Sequence, residues 1–146
     1  MEIVSYVLIA MNLSKKSQIT QAYGDLFKKE GYELMAAAFE VHNEVGGGLA
    51  EEVYQESLEK ELRIRGIPFT AKQEIALFYK GIELQRRYVP DLYVHDGIIV
   101  ELKAVSKLLP EHESQLFNYM RLTGKRVGYL INLAPLKTVE WRRFAL

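Results

Sequence analysis

Two acidic residues and a lysine, Asp91, Glu101 and Lys103, form the pattern most suited to chemistry. Glu101 and Lys103 are two residues apart, so on a β-strand they project from the same face. The residues around them, including Val100 and Leu102, are apolar. Burying charged groups in such a strand costs free energy, so their presence there indicates a function. The pattern therefore points to a site and not to an ordinary buried strand.

The task that suits this set is metal-assisted hydrolysis of a phosphodiester bond. Asp91 and Glu101 would hold Mg²⁺, which prefers a few carboxylates together with water and phosphate oxygens. The ion would polarise the phosphoryl oxygen and lower the pKa of a bound water. Lys103 would orient that water or stabilise charge on the phosphorus. The alternative is a surface ion pair between Glu101 and Lys103, and this short motif alone leaves that alternative open.

Two further pairs of residues lie on predicted helices. Glu51 and Tyr54 are three residues apart and share a helical face, as do Gln115 and Tyr119, which are four apart. Glu51 could instead complement the helix dipole, and Tyr54 could instead pack in the core. An amide such as that of Gln115 could hydrogen-bond a phosphate or a metal-bound water, or could simply be solvated.

The absence of cysteine and the spacing of the histidines exclude several other kinds of site. The absence of cysteine excludes a disulfide scaffold, thiolate-bound zinc, an iron–sulfur cluster and a thiol nucleophile. His42, His95 and His112 do not have the spacing of a zinc site. His42 lies on a mostly apolar helical face, so we interpret it as a hydrogen-bonded histidine of the core.

The elements that must position these residues follow from the apolar spacing. Residues 32–45 have helical periodicity, and the run Gly46-Gly47-Gly48 ends that helix because glycine adopts left-handed conformations readily. A second helix is predicted over residues 50–65, before Gly66. The remaining pattern predicts strands and one more helix, giving an α/β fold in the order ααββββαββ. These segments are strands 68–79, 82–89, 91–94 and 98–105, helix 110–122, and strands 126–133 and 138–145.

The turn at His95-Asp96-Gly97 decides whether the two acids share a face. A two-residue turn at Asp96-Gly97 would put Asp91 on the face opposite Glu101, whereas a three-residue loop pairs Asp91 with Glu101. The proposed site requires the three-residue loop or a bulge. In the three-residue form we expect Gly97 to be left-handed, as the first residue of a G1 bulge.

Length and charge limit the architecture and the partners. A chain of 146 residues fits one domain, which we place at residues 26–146, after an N-terminal extension at residues 1–25. Net charge is zero, with −4 on residues 1–83 and +4 on residues 84–146. The chain therefore has no strongly basic segment that would bind nucleic acid by charge alone. The apolar stretch 3–10 is too short to span a membrane. We expect a cytoplasmic protein without a membrane partner.

Several motifs together resemble the GxxExxY proteins, a branch of the PD-(D/E)XK nuclease superfamily. The naming motif is present as Gly48, Glu51 and Tyr54, and about four-fifths of the chain resembles the branch. One departure is Gly46-Gly47-Gly48, where the branch usually has Gly-Pro-Gly, at the helix end and outside the site. The other matching stretches are Phe39-Glu40-Val41-His42, Ile99-Val100-Glu101-Leu102-Lys103-Ala104-Val105, His112-Glu113-Ser114-Gln115-Leu116 and Gly128-Tyr129-Leu130-Ile131-Asn132.

The resemblance implies a restriction-endonuclease-like core, a three-layer α/β/α fold with a central mixed sheet. It also implies Mg²⁺ chemistry, with Mn²⁺ as a substitute. Asp91 and Glu101 match the metal-binding acids, Lys103 the motif lysine, and Glu51 a helical acid that completes the metal site. Gln115 and Tyr119 match the Gln-x-x-x-Tyr element of helicase-associated nucleases; with Tyr54, we assign them to substrate binding.

The function expected from this resemblance is a Mg²⁺-dependent deoxyribonuclease in DNA repair or in defence against foreign DNA. One alternative is a non-catalytic module with the same fold that binds nucleic acid or a protein. Another is an enzyme acting on RNA or a nucleotide phosphodiester. DNA is the expected partner, and a homodimer or a protein partner is compatible with the small size. The absence of a separate DNA-reading module predicts weak sequence specificity.

Overall fold

The computed structural model describes residues 26–146, so the predicted extension at residues 1–25 lies outside the described residues. Helix α1 spans Lys28–Val45 and helix α2 spans Glu51–Ile64. As predicted, α1 ends at the glycine run: Gly46 has φ 75° and donates its N–H to the carbonyl of His42 at 2.9 Å. His42 is buried, and its Nε2 lies 2.7 Å from the Pro135 carbonyl, which confirms its role as a hydrogen-bonded core residue.

Five strands form the central mixed sheet, in the order β1-β4-β5-β6-β7. Strand β5 pairs with β6 in parallel, and the other pairs are antiparallel. Strands β2 and β3 form a separate antiparallel sheet. The bounds are β1 Phe69–Ala71, β2 Ile75–Tyr79, β3 Ile82–Tyr88, β4 Leu92–Val94, β5 Ile98–Lys103, helix α3 Pro110–Thr123, β6 Val127–Asn132 and β7 Glu140–Ala145.

The central sheet separates two apolar cores, so the predicted α/β fold with helices on both faces is confirmed. One core joins α1 and α2 to one face of the sheet through residues such as Leu34, Leu58 and Leu102. The other joins α3 to the opposite face through residues such as Leu116 and Leu130. Alternate residues of β5 and β6 enter opposite cores, as the period of a strand requires. Within residues 26–146, no helix is both long and apolar enough to cross a membrane.

The prediction of a single strand over residues 68–79 is wrong, because the chain passes from one sheet to the other within this segment. Strand β1 pairs with β4 of the central sheet, whereas β2 pairs with β3. Lys72 lies between them with φ 54°, a left-handed conformation that interrupts an extended strand. An apolar pattern cannot show this break, since Lys72 is not a typical residue for that conformation.

The turn before β5 has the three-residue form that the site requires. Val94 pairs with Ile98, so the loop is His95-Asp96-Gly97. The expectation for Gly97 is wrong: the positive φ angles belong to His95 (53°) and Asp96 (52°). Gly97 is needed for space, because a Cβ there would lie 2.0 Å from the Phe27 ring.

Candidate active site

Asp91 and Glu101 face each other across the β4–β5 pair. Leu92 pairs with Val100, so Asp91, one residue before β4, comes opposite Glu101, one residue further along β5. The Asp91 side chain is nearly buried, and its Oδ2 accepts the backbone N–H of Leu102 at 2.8 Å. The backbone of β5 therefore fixes the first acid beside the second.

Lys72 provides the second partner of Asp91. Its ammonium group forms an ion pair with Asp91 Oδ1, and its backbone N–H donates to the Asp91 carbonyl at 3.3 Å. Burial opposes the charged ammonium, but the hydrogen bond and the charge of Asp91 outweigh it and raise the pKa of Lys72. Lys72 therefore stays protonated beside Asp91. The sequence did not single it out, because the strand break that aims it at the site depends on tertiary packing.

Glu101 is held by Tyr88, which donates its hydroxyl hydrogen to Glu101 Oε1 at 2.5 Å. Burial of the carboxyl group raises its pKa; the Tyr88 hydrogen bond opposes this shift, and the charge of Asp91 adds to it. The resulting pKa of Glu101 is about 7. Burial, and then the negative charge of Glu101, raise the pKa of Tyr88, so its hydroxyl remains a hydrogen-bond donor.

Tyr88 is in turn fixed by Tyr119 of α3. The two rings stack with their centroids 4.0 Å apart and their planes 7° apart. Of the predicted pair Gln115 and Tyr119, the tyrosine therefore acts on Glu101 indirectly, because it stacks on the Tyr88 ring whose hydroxyl binds Glu101. No sequence signal distinguishes Tyr88 from the other eight tyrosines.

A cleft of about 310 Å³ opens beside Glu101, between the base of β3, the end of β5 and helix α3. Glu101 and Lys103 both line it, which confirms that they share a face, and Gln115 and Tyr119 line it from α3. The sequence did not place Arg87 or His112 in the site, but both line this cleft. His112 accepts the Leu109 N–H at Nδ1 (3.0 Å). The cleft thus has cationic and amide donors suited to phosphate oxygens.

Glu51 lies in the first turn of α2, on the Asp91 side. Gln55 is one helical turn further on the same face, and its Nε2 donates to the Asp91 carbonyl at 3.0 Å. Burial, and then the charge of Asp91, raise the pKa of Glu51, while Lys103 and Lys72 oppose the shift. Glu51 therefore interacts electrostatically with Asp91 and with both lysines of the site. That its carboxylate reaches the same ion stays a prediction.

Tyr54 is fully buried and supports the loop before Glu51. Its hydroxyl donates to the Gly46 carbonyl at 2.8 Å and accepts the Leu49 N–H at 3.1 Å. A ring in this position has no surface to offer a substrate. We therefore correct the substrate-binding assignment: Tyr54 positions the start of α2, and with it Glu51.

The donor atoms of the site suit a hard divalent cation. Glu51, Asp91 and Glu101 offer carboxylate oxygens, which Mg²⁺ and Mn²⁺ prefer. Burial is the main cause of the raised pKa values of Glu51 and Glu101, and a cation in the site would relieve the repulsion from Asp91 that adds to it. Across residues 26–146, however, no three His, Cys, Asp or Glu side chains form a cluster able to hold a metal ion. Lys72 and Tyr88 contact two of the acids instead.

Comparison with known proteins gives one match. A family model described as the PD-(D/E)XK nuclease superfamily matches residues 28–144. The matched range contains every residue of the site. No match was found among curated proteins or among solved structures.

Proposed function

Because the chain belongs to the PD-(D/E)XK nuclease superfamily, we propose that it is a Mg²⁺-dependent nuclease that hydrolyses phosphodiester bonds of DNA, in repair or in defence against foreign DNA. The observation that carries this proposal is the pairing of Asp91 with Glu101 across β4 and β5, with Lys103 on the face of Glu101. All three would be needed for the chemistry, and none of the three is an apolar core residue.

Asp91 and Glu101, together with Glu51, would hold the ion, and Mn²⁺ would substitute for Mg²⁺. When bound, the metal supplies polarisation of the phosphoryl oxygen and a lower pKa for a coordinated water. Lys103, beside Glu101 in the cleft, would orient the attacking water or stabilise the negative charge that develops on the phosphoryl oxygens. Gln115 would donate its amide hydrogens to a phosphate oxygen, and Tyr119 would line the substrate path.

A binding module on the same fold is the second candidate. It is favoured by the partners of two acids: Lys72 neutralises Asp91, and Tyr88 hydrogen-bonds Glu101. In such a module these contacts would be permanent, and nucleic acid would bind through the cleft without a metal ion.

Cleavage assays separate the two functions. Linear duplex, circular duplex and single-stranded DNA are incubated with Mg²⁺, Mn²⁺ or EDTA, using the native protein and the variants Asp91→Ala, Glu101→Ala and Lys103→Ala. We expect metal-dependent cleavage that each variant abolishes while circular dichroism shows a folded protein. Glu56→Ala is the matched control, since Glu56 is exposed on α2 and pairs with exposed Lys60. Wild-type rates in the three variants would refute the nuclease, and EDTA-insensitive DNA binding without cleavage would indicate the module.

A further inference from the structure

The two-stranded sheet of β2 and β3 forms an arm, defined here as residues 75–88. Its turn is the tight Lys80-Gly81 pair, with φ 48° and 77°, and Tyr79 pairs with Ile82 across it. Positive φ at both central residues is the geometry of a two-residue hairpin whose twist matches its strands. The arm therefore has a regular tip, and among residues 26–146 its two strands form a sheet of their own.

The tip exposes large apolar side chains. Phe78 is 44% exposed, Tyr79 60% and Ile82 67%. Burial of such side chains stabilises a fold, and a large part of that stabilisation is absent at these three positions. Exposed apolar hairpins also promote aggregation. A cluster of this kind is typical of a binding surface.

The arm also carries cations. Lys80 Nζ lies 5.6 Å from the centroid of the Tyr79 ring, and Arg86 is exposed on β3. Glu83, the acid of β3, pairs with Arg87 at 3.2 Å, so its charge is compensated within the arm. Phe78 and Tyr79 are consecutive residues of β2, so their rings lie on opposite faces of the arm. The tip thus combines an exposed ring on each face with positive charge, which is the chemistry that proteins use on unpaired nucleic-acid strands.

The root of the arm belongs to the candidate active site. Tyr88 hydrogen-bonds Glu101, and Arg87, Tyr88 and Val89 line the cleft. Ile75 pairs with Tyr88 and Tyr79 pairs with Ile82, so β2 and the bulged β3 cover the same distance from root to tip, about 13 Å for the four steps of β2 at the usual rise per residue. A polymer with one phosphodiester bond at Glu101 would reach the tip, whereas a mononucleotide would not.

We propose that the arm binds the single-stranded part of a nucleic-acid substrate that passes around its tip, with unpaired bases stacked on Phe78 on one face and on Tyr79 on the other, and with phosphates near Lys80 and Arg86. Bases of a duplex present only their edges, so the faces of these rings favour unpaired bases. This inference rests on the proposed function, because it takes the cleft at Glu101 as the place of the scissile bond. It adds the substrate class, a single strand several nucleotides long.

Binding measured in EDTA tests the arm separately from catalysis. Fluorescence anisotropy compares a labelled 15-nucleotide thymidine strand, a labelled mononucleotide and a 15-base-pair duplex, using the native protein and the Phe78→Ala/Tyr79→Ala variant. We expect the variant to bind the 15-nucleotide strand about 10- to 100-fold more weakly, since it lacks the rings on which the bases stack. Mononucleotide and duplex affinities should change little.

Two controls address other causes of the same loss. Tyr32→Ala removes an aromatic residue that is 79% exposed on α1, outside the arm, and should leave every affinity unchanged. Phe78→Leu/Tyr79→Leu keeps apolar area but removes the π-faces, so it should weaken strand binding almost as much as the alanine variant. Circular dichroism and thermal melting confirm that each variant is folded.

Several outcomes would overturn the inference. These are failure of the native protein to bind the 15-nucleotide strand, an unchanged affinity in the alanine variant, or an equal loss for strand and duplex. A native dimer that the alanine variant converts to monomer in sedimentation would identify a second copy as the occupant of the arm. Strand binding through the arm without any cleavage would instead leave the inference standing and refute the proposed nuclease.

Discussion

Tyr88 and Glu101 are joined by a 2.5 Å hydrogen bond, with the phenol as donor and the carboxyl group as acceptor. Tyr88 also stacks on Tyr119, so the bond connects α3 to the acid on β5. Because Tyr88 is the last residue of β3, the arm, the cleft and the candidate metal site share this one contact. A change at Tyr88 should therefore affect the ionisation of Glu101.

Replacing Tyr88 with Phe should raise the pKa of Glu101 above its native value of about 7. The Tyr88 hydrogen bond favours the charged carboxylate, and the burial that opposes this charge remains in the variant. We also expect a loss of about 1 kcal/mol in the free energy of unfolding, the usual contribution of one hydrogen bond. Carboxyl ¹³C NMR titration measures the pKa directly. Tyr119→Leu, which removes the stacking partner but keeps the Tyr88 hydroxyl, should cause a smaller shift, and an unchanged pKa in Tyr88→Phe would contradict the contact.

Replacing Glu101 with Gln should stabilise the protein at high pH and not at low pH. The folded protein holds the pKa of Glu101 at about 7, above the ordinary 4.5, so the protonated form is favoured by folding. The stability contributed by this group is therefore fully present below pH 4.5 and is lost as the pH rises through 7. The Gln variant does not titrate but retains an acceptor for Tyr88.

Chemical denaturation at pH 4.5, 6 and 8 tests this pH dependence. The advantage of Glu101→Gln over the native protein should grow with pH and reach at most about 3 kcal/mol, from 1.36 kcal/mol per pKa unit. Glu56→Gln, an exposed acid of α2, should track the native protein at every pH. An advantage that is constant across pH would show that Glu101 ionises normally.

Replacing Lys72 with Met should lower stability and strengthen the binding of divalent cations. The substitution removes the ion pair with Asp91, a nearly buried acid, and we expect a cost of about 1–3 kcal/mol. Lys72, like Lys103, also lowers the pKa values of Glu51 and Glu101, so a metal ion could take the place of the Lys72 charge beside Asp91 once that ammonium is removed. Calorimetric titration with Mg²⁺ and Mn²⁺, in the absence of DNA, should show tighter binding. Lys80→Met serves as the control, and an unchanged metal affinity in Lys72→Met would show that the ammonium does not compete for Asp91.

The sequence predicted the site as far as local rules extend. Spacing by two put Glu101 and Lys103 on one face. The sequence left the length of the turn at His95-Asp96-Gly97 open but showed that only an odd loop or a bulge puts Asp91 with them, because strand parity depends only on residue counts; the structure has the three-residue loop. Lys72 and Tyr88 could not be predicted this way. Lys72 reaches Asp91 through an unusual backbone conformation between two sheets, and Tyr88 reaches Glu101 from a strand of the other sheet. Both contacts are products of tertiary packing.

Replacing Glu51 with Gln should weaken divalent-cation binding, whereas the same change at Glu52 should not. Glu51 shares a helical face with Gln55, which donates to the Asp91 carbonyl, and the charge of Asp91 raises the pKa of Glu51. Glu52 is exposed and lies about 100° further around α2, so it is a matched control of the same charge and helical turn. We expect about tenfold weaker Mn²⁺ binding by calorimetry for Glu51→Gln, with metal-dependent cleavage reduced in parallel, and native values for Glu52→Gln. If the two variants bind Mn²⁺ equally well, Glu51 serves only the helix dipole. The dipole affects neighbouring acids of the first turn alike, whereas a metal ion on one side of the helix distinguishes them.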